Sequence, residues 1–245
     1  MDVARELAER GAAEGAVVLA EEQTAGRGRA GHAWYSPPEQ ALYLSIVLRP
    51  PLIPAETSWI TIVAALAVCD TLDALVSAPT SEEPRHPVTS SPPHLVTLKW
   101  FNDVLLNGRK VCGTLVESSI TGGQLDYAVL GIGMNVNTAF DAAPDDVRSR
   151  ATSLRAALGR TFDREVILLA LLAHIDARYA RLLNHHNPHS PVDEYATRLE
   201  TLSRYVEIDT GGHIVSGIAA RVNPDGSLVV ITDQGEVAVS AGNLA

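Results

Sequence analysis

Two periods alternate along this chain, and the places where one gives way to the other outline its elements. The stretch "DVARELAER", Asp2 to Arg10, spaces its apolar residues for one face of a helix and fills the gaps with mixed charge. "AVVLAEE", Ala16 to Glu22, is a short apolar run after glycines and predicts a short buried strand. In "LYLSIVLRP", Leu42, Leu44, Ile46 and Leu48 alternate with Tyr43, Ser45 and Val47, so both faces are largely apolar and a central strand is expected. "PAETSWITIVAALAVCDTLDALV" changes to helical spacing, with Trp59, Ile62, Val63, Leu66 and Ala67 in register and Thr57 or Ser58 available as a cap. "LVTLKWF" and "VCGTLVES" flank Asn107-Gly108, a turn pair that predicts a hairpin. "DYAVLGIGMNVN" gives one more apolar strand. "REVILLALLAHIDARYARLL" gives a helix whose wide apolar surface implies burial against the sheet. After a short helix near Val192 to Glu200, four short strands separated by Gly-Gly, Asp-Gly and Gln-Gly turns predict a barrel of roughly forty-five residues, small enough to lean on the main domain.

Two segments break the pattern. Ser77 to His94 is rich in proline and serine with almost nothing apolar, which predicts a mobile surface insertion. "HHNPH", with His185, His186 and His189, has no neighbouring acid or cysteine and reads as a solvated turn rather than a metal site. At 245 residues and 46% hydrophobic content the chain can bury a sizeable core. Its longest apolar run, Trp59 to Cys69, is about half the ~20 residues of a bilayer span and reads as a core helix. No secretory leader pattern opens the chain. The net charge of -10, from 19 Lys and Arg against 29 Asp and Glu, argues against a general nucleic-acid binder, so no nucleic-acid or membrane partner is expected. Cys69 and Cys112 sit in apolar contexts without partner spacing, as reduced thiols in a cytoplasm would.

Against that acidic background, "QTAGRGRAGHAW", Gln23 to Trp34, concentrates positive charge at a strand end. Glycines allow successive backbone N–H groups to face an anion, and Arg27 and Arg29 bring guanidinium forks that match phosphate or carboxylate oxygens. "KWFNDVLLNGRKVCGTLVE", Lys99 to Glu117, adds Lys99 and Lys110, with Asn102 and Asp103 beside them. Either segment alone could be a solvated turn. Glu21 and Glu22 precede the loop but, as adjacent strand residues, would point to opposite faces and so do not form an acid–base pair.

Together and in this order, the two segments resemble the biotin protein ligase family, and the later "GIGMNVN" and "VSAGNL" extend the resemblance over nearly the whole chain. The resemblance implies an α+β fold of the class II synthetase-like, biotin–lipoate ligase type: a mixed β-sheet flanked by helices over residues 1–200 and an SH3-like barrel over 201–245. It implies that biotin and ATP are joined as biotinyl-adenylate, and that the biotinyl group then passes to a lysine of a biotin carboxyl carrier protein. Arg27 and Lys110 would hold the biotin carboxylate or the acyl-phosphate oxygens. Gln23 would bond the ureido ring, with Gly26 and Gly113 allowing close approach. Arg29, His32, Trp34, Lys99, Asn102 and Asn135 would serve the nucleotide, and Asp103 would orient Lys110 or accept a proton from the incoming amine. Mg²⁺ would arrive on the phosphates, since no dedicated carboxylate cage is evident. The chemistry needs such cations, because two anions must approach within bonding distance before any bond forms.

The chain departs from the family pattern at three places. Phe101 stands where the family usually has proline, and His32 where it commonly has arginine, which makes one charge titratable and would weaken adenylate retention as pH rises. Family members also carry a Ser-Thr-Asn stretch just before the helix that begins here at Asp2. Its absence implies either a start placed too late or weak biotin binding, and the lack of a helix-turn-helix implies no repressor role. Three rivals stay open from sequence: a lipoate or octanoyl ligase, a noncatalytic biotin or carrier-binding module, and an RNA binder, the last disfavoured by charge. Pairing of two copies as a homodimer through sheet edges also stays open.

Overall fold

The computed structural model describes residues 1–77, 95–184 and 191–244. The predicted insertion, beyond Ser77, and the three histidines of "HHNPH" lie outside the described residues. Six strands form the main sheet: β1 (Val17–Ala20), β2 (Leu42–Leu48), β3 (Val96–Lys99), β4 (Asp103–Leu106), β5 (Arg109–Thr121) and β6 (Gln124–Met134), in the order β1-β2-β6-β5-β4-β3. Every ladder is antiparallel. The sheet is mixed only through isolated parallel bridges, Leu98 to Leu199 and Lys110 to Ala151. Short turns account for three of these ladders, β3–β4, β4–β5 and β5–β6, because antiparallel neighbours can be joined by a hairpin, whereas a parallel pair needs a long crossover.

The two faces of the sheet are covered differently. Leu42, Leu44, Ile46 and Leu48 of β2 and Ala128, Leu130, Ile132 and Met134 of β6 point into the larger core. There they meet α2 (Ser58–Ser77), in which every residue from Ile60 to Cys69 is buried. That helix is long and apolar enough to cross a membrane by composition, but it lies against β3, β4 and β5 on one side and against α5 (Arg164–Leu183) and α6 (Pro191–Arg198) on others. The wide apolar surface of α5 therefore packs on α2 rather than on the sheet, through Ile167, Leu171 and Ile175. On the opposite face, α1 (Asp2–Glu9) covers Val47, Tyr127 and Val129 with Ala4 and Ala8, and Val18 of β1 packs at the margin. The rest of that face, along β5 and β6, has no helix over it.

Two expectations change in detail. β1 forms but is not buried: it is an edge strand, with Leu19 53% exposed. The segment from Val96 to Thr121 makes two hairpins rather than one, because "DVLL" is itself a strand. Asn107 and Gly108, at φ of 54° and 75°, form the turn between β4 and β5, while Trp100 to Asn102 turns β3 into β4 through a cis Trp100–Phe101 peptide bond. The short helices α3 (Asp145–Arg150) and α4 (Leu154–Leu158) follow β6.

Five antiparallel strands make up the C-terminal unit: β7 (Tyr205–Asp209), β8 (Ile214–Val222), β9 (Leu228–Thr232), β10 (Gly235–Val239) and the two-residue β11 (Asn243–Leu244), in the order β10-β9-β8-β7-β11. The fifth strand was not evident from the turn spacing, and among the described residues no ladder joins β10 to β11. Val206, Ile208, Ala219 and Leu228 belong to the same apolar core as the main sheet. Trp59 Nε1 donates to Pro224 O at 2.8 Å and Trp100 Nε1 to Gly226 O at 3.1 Å, so polar contacts also tie the β8–β9 turn to the main unit.

Candidate functional site

The face of β5 and β6 that α1 leaves uncovered is roofed by the Gly-Arg loop, enclosing a cleft of about 1020 Å³. Its floor follows from register: Gly113 of β5 pairs with Gly133 of β6, and Gly131 sits two residues away on the same face. Without side chains there, the backbone is bare. The ring of Trp34 lies on that bareness, so closely that a Cβ at Gly133 would fall 2.8 Å from Trp34 Cε2 and one at Gly113 would fall 3.0 Å from Trp34 Cζ3. The indole N–H is buried and finds no hydrogen-bond partner among the described residues, which is costly unless something accepts it.

Arg27, Arg29, Lys99 and Lys110 all line this one cleft, with Gln23, His32, Asn102, Asp103, Gly113 and Asn135. Gly26 does not line it. A Cβ there would stand 2.6 Å from both Ser36 Oγ and Trp34 O, so the missing side chain serves the loop's own fold. The loop is closed by Trp34 N donating to Gly26 O at 2.9 Å and Gly28 N to His32 O at 2.6 Å around a short 3-10 turn at Arg29–Gly31.

Each cation is held differently. Lys110 Nζ meets Asp103 Oδ1 at 2.6 Å and stands 5.1 Å from the Trp34 ring centroid. Lys99 is half-buried, and burial pulls its amine below the usual lysine range while Asp103 opposes the fall. Arg27 belongs to a ring of alternating charge: it contacts Asp2 at 2.8 Å and Glu117 at 3.4 Å, and Arg5 contacts the same two carboxylates at 2.5 and 3.6 Å. Hydrogen bonding to Arg27 holds the Asp2 carboxyl below its ordinary range. Arg29 has no ion pair among the described residues. Its guanidinium reaches Asn102 Oδ1 at 3.4 Å and lies 5.3 Å from the Phe101 ring centroid and 5.9 Å from that of Trp100, and burial lowers its affinity for its proton. Asp103 opposes that fall from a distance, and a half-buried guanidinium that no carboxylate contacts keeps N–H groups able to bind an anion.

Asn102 and Asn135 are already engaged. Asn102 Nδ2 donates to Thr114 O at 2.5 Å and Asn135 Nδ2 to Thr152 O at 3.1 Å, so both amides stiffen the cleft wall in this state. Sequence reasoning missed Asp2, Arg5 and Glu117 around Arg27, and the Trp100–Phe101 seat of Arg29. It also missed Asp209 and Asn243 of the C-terminal unit, which face the loop across a side crevice. The spacing of Asp2 and Arg5 on one helix was the only local signal. Among the described residues no group of three or more His, Cys, Asp or Glu side chains gathers to hold a metal.

Comparison with known proteins gives this geometry a context. Residues 3–135 match the model of the biotin/lipoate A/B protein ligase family. A bifunctional ligase/repressor from Bacillus spizizenii is 34% identical over 182 residues, 74% of this chain, which spans about half (51%) of that protein. A biotin–[acetyl-CoA-carboxylase] ligase from Mycobacterium tuberculosis is 34% identical over 233 residues, covering 94% of this chain and 79% of the relative. The biotin protein ligase from Aquifex aeolicus, solved in complex with biotin and ATP, superposes with a TM-score of 0.74 at 25% identity, over 98% of this chain and 92% of the other.

Proposed function

The chain belongs to the biotin/lipoate A/B protein ligase family, and from that premise we propose that it activates biotin with ATP and transfers the biotinyl group to a lysine of a carrier protein. The observation that carries this reading is the convergence of Arg27, Arg29, Lys99 and Lys110 on one cleft whose floor is bare glycine backbone. The Trp34 indole that now rests there shows that the floor receives a flat ring, a ligand ring would have to displace it, and four cations suit a reaction that brings a carboxylate to a triphosphate.

In the first step a biotin carboxylate oxygen attacks the α-phosphorus of ATP and pyrophosphate leaves. Lys110 and Arg27 would screen the carboxylate against the phosphates, and Arg29, lacking a carboxylate of its own, would take the phosphate of the adenylate. Preorganised donors of this kind contribute ~3 kcal/mol each to transition-state stabilisation. Mg²⁺ would enter on the triphosphate, because the carboxylates paired with these cations are already engaged, Asp103 by Lys110 and Asp2 and Glu117 by Arg27. In the second step the neutral lysine amine attacks the acyl carbonyl, AMP leaves, and the amine's proton passes to Asp103 or solvent. The name of the Mycobacterium tuberculosis relative supports the carrier domain of a carboxylase as acceptor. ATP consumption and the two free, buried cysteines suit a cytoplasmic setting.

Biotin-dependent exchange of labelled pyrophosphate into ATP tests the reading. Exchange with biotin and not with lipoate is the expected result; exchange with lipoate alone would assign the other branch of the family, and ligand binding without exchange would make this a noncatalytic module.

A further inference from the structure

Resting on the reading of Arg29 as the group that holds the adenylate phosphate, we infer that Phe101 is a positioning residue that seats the Arg29 guanidinium and links it to the C-terminal unit. The sequence marks Phe101 as a departure from the proline usual in the resembling family. The structure gives the ring work that proline cannot do. It lies 5.3 Å from Arg29 Cζ, centroid to carbon, beside Trp100 at 5.9 Å, and the two rings meet edge to face at 5.7 Å. The negative faces of aromatic rings attract a guanidinium and leave its N–H edge free to bond an anion. A carboxylate partner would hold the arginine too, but would compete with the phosphate for the same N–H groups.

The corner is fixed from behind. Tyr195 OH, on a side chain that is fully buried, donates to Phe101 O at 2.7 Å. On the far side stands Gly226 in the β8–β9 turn, where a Cβ would be 3.3 Å from Phe101 Cε2, and its φ of +84° already excludes most other residues. Gly226 O accepts the Trp100 indole N–H, so one glycine of the C-terminal unit contacts both rings under Arg29. The small unit thus supports the phosphate-holding arginine through the two rings.

Three variants test this in the full-length protein: Phe101→Leu keeps apolar bulk but removes the ring face, Phe101→Tyr keeps the face, and Arg29→Lys removes the planar guanidinium. The readout is the rate at which preformed biotinyl-adenylate leaves the enzyme, measured beside the KM for biotin and the melting temperature. Phe101→Leu is expected to release adenylate about fivefold faster, with KM for biotin and melting temperature little changed. Phe101→Tyr should restore the wild-type rate, and in an Arg29→Lys background Phe101→Leu should add nothing. Wild-type release from Phe101→Leu, or an equal increment in both backgrounds, would overturn the inference. If the wild type forms no adenylate at all, the proposed function fails instead, which pyrophosphate exchange shows separately.

Discussion

A single methyl group at Gly133 tests whether Trp34 rests on the glycine floor. In Gly133→Ala the new Cβ would meet Trp34 Cε2, Nε1 and Cζ2 at 2.8, 2.9 and 3.0 Å. Ordinary contacts begin beyond 3.4 Å, and three atoms of a rigid ring cannot yield separately, so the indole must lift from the sheet. Trp34 is half-buried, and losing about 80 Å² of apolar contact at about 25 cal/mol per Å² costs ~2 kcal/mol. That shifts the loop about thirtyfold towards open forms. Because Trp34 sits on a loop, the cost falls on loop closure rather than on the core, and the melting temperature should move by only a few degrees. The assay is the rate of native-state trypsin cleavage after Arg27 and Arg29. Gly131→Ala is the control: it lies on the same strand and face, but its Cβ would meet only the flexible end of Met1, at 2.7 Å from Sδ, which can swing aside. Gly133→Ala should be cleaved about thirtyfold faster and Gly131→Ala at nearly the wild-type rate. Equal cleavage of Gly133→Ala and wild type would refute the packing of Trp34 on this floor.

In Asp103→Asn, transfer of preformed biotinyl-adenylate to the carrier should slow at least tenfold, and unchanged transfer would remove Asp103 from the second step. Biotin together with ATP should protect Thr24 to His32 from proteolysis, and equal cleavage with and without them would count against closure of the loop on the adenylate. Arg178 is buried and bonds Asp70 at 2.7 Å and Glu194 at 2.7 Å, joining α2, α5 and α6. Since both carboxylates reach solvent, Arg178→Ala should cost ~2 kcal/mol rather than the larger penalty of a fully buried pair, lowering the melting temperature by about 4–8 °C. Hydrogen bonding to Arg178 depresses the Glu194 carboxyl below 4.5, so its contribution is present above that pH and disappears as pH falls through the depressed value. An acid melting series should therefore show a loss below pH 4.5 in the wild type that is smaller in Arg178→Ala.

The sequence carried the site better than it carried the packing around it. The cations, the tryptophan and the floor glycine Gly113 were legible because each is a residue type with a narrow chemical use, placed within a few positions of others like it. The burial of β1 was misjudged because Val17 and Leu19 read the same on an edge strand as on an inner one; only the order of strands distinguishes them. The face against which α5 packs was misjudged for a similar reason, since an apolar helix face does not say whether a sheet or another helix receives it. At Gly26 the letter alone does not say whether the closely approaching atom belongs to a substrate or to the loop itself, as Ser36 Oγ and Trp34 O do here. The charge ring around Arg27 and the aromatic corner under Arg29 depend on pairs far apart in the chain, such as Asp2 with Arg27 and Arg29 with Phe101, which no local pattern announces.

The ways in which the cations are held bear on how a protein with a net charge of -10 keeps such a cluster ready. Arg27 and Lys110 each have carboxylate partners, so a substrate anion must compete with Asp2, Glu117 or Asp103 for them. Asp2 is exposed, and such a pair is worth only about 0–1 kcal/mol, so it yields readily, whereas Asp103 and Glu117 are half-buried and compete more strongly. Arg29 is different. Its desolvation is offset by two ring faces and by the charge of Asp103 nearby, and only the long 3.4 Å contact to Asn102 need yield for its N–H groups to donate to a phosphate. On this division, and on the proposed function, Arg29 would be the cation that gains most from the adenylate, while Arg27 and Lys110 would change partners as substrate enters and product leaves. The loop that carries Arg27, Arg29 and Trp34 would then be held in the free protein by weak, replaceable contacts and in the adenylate complex by the ligand itself.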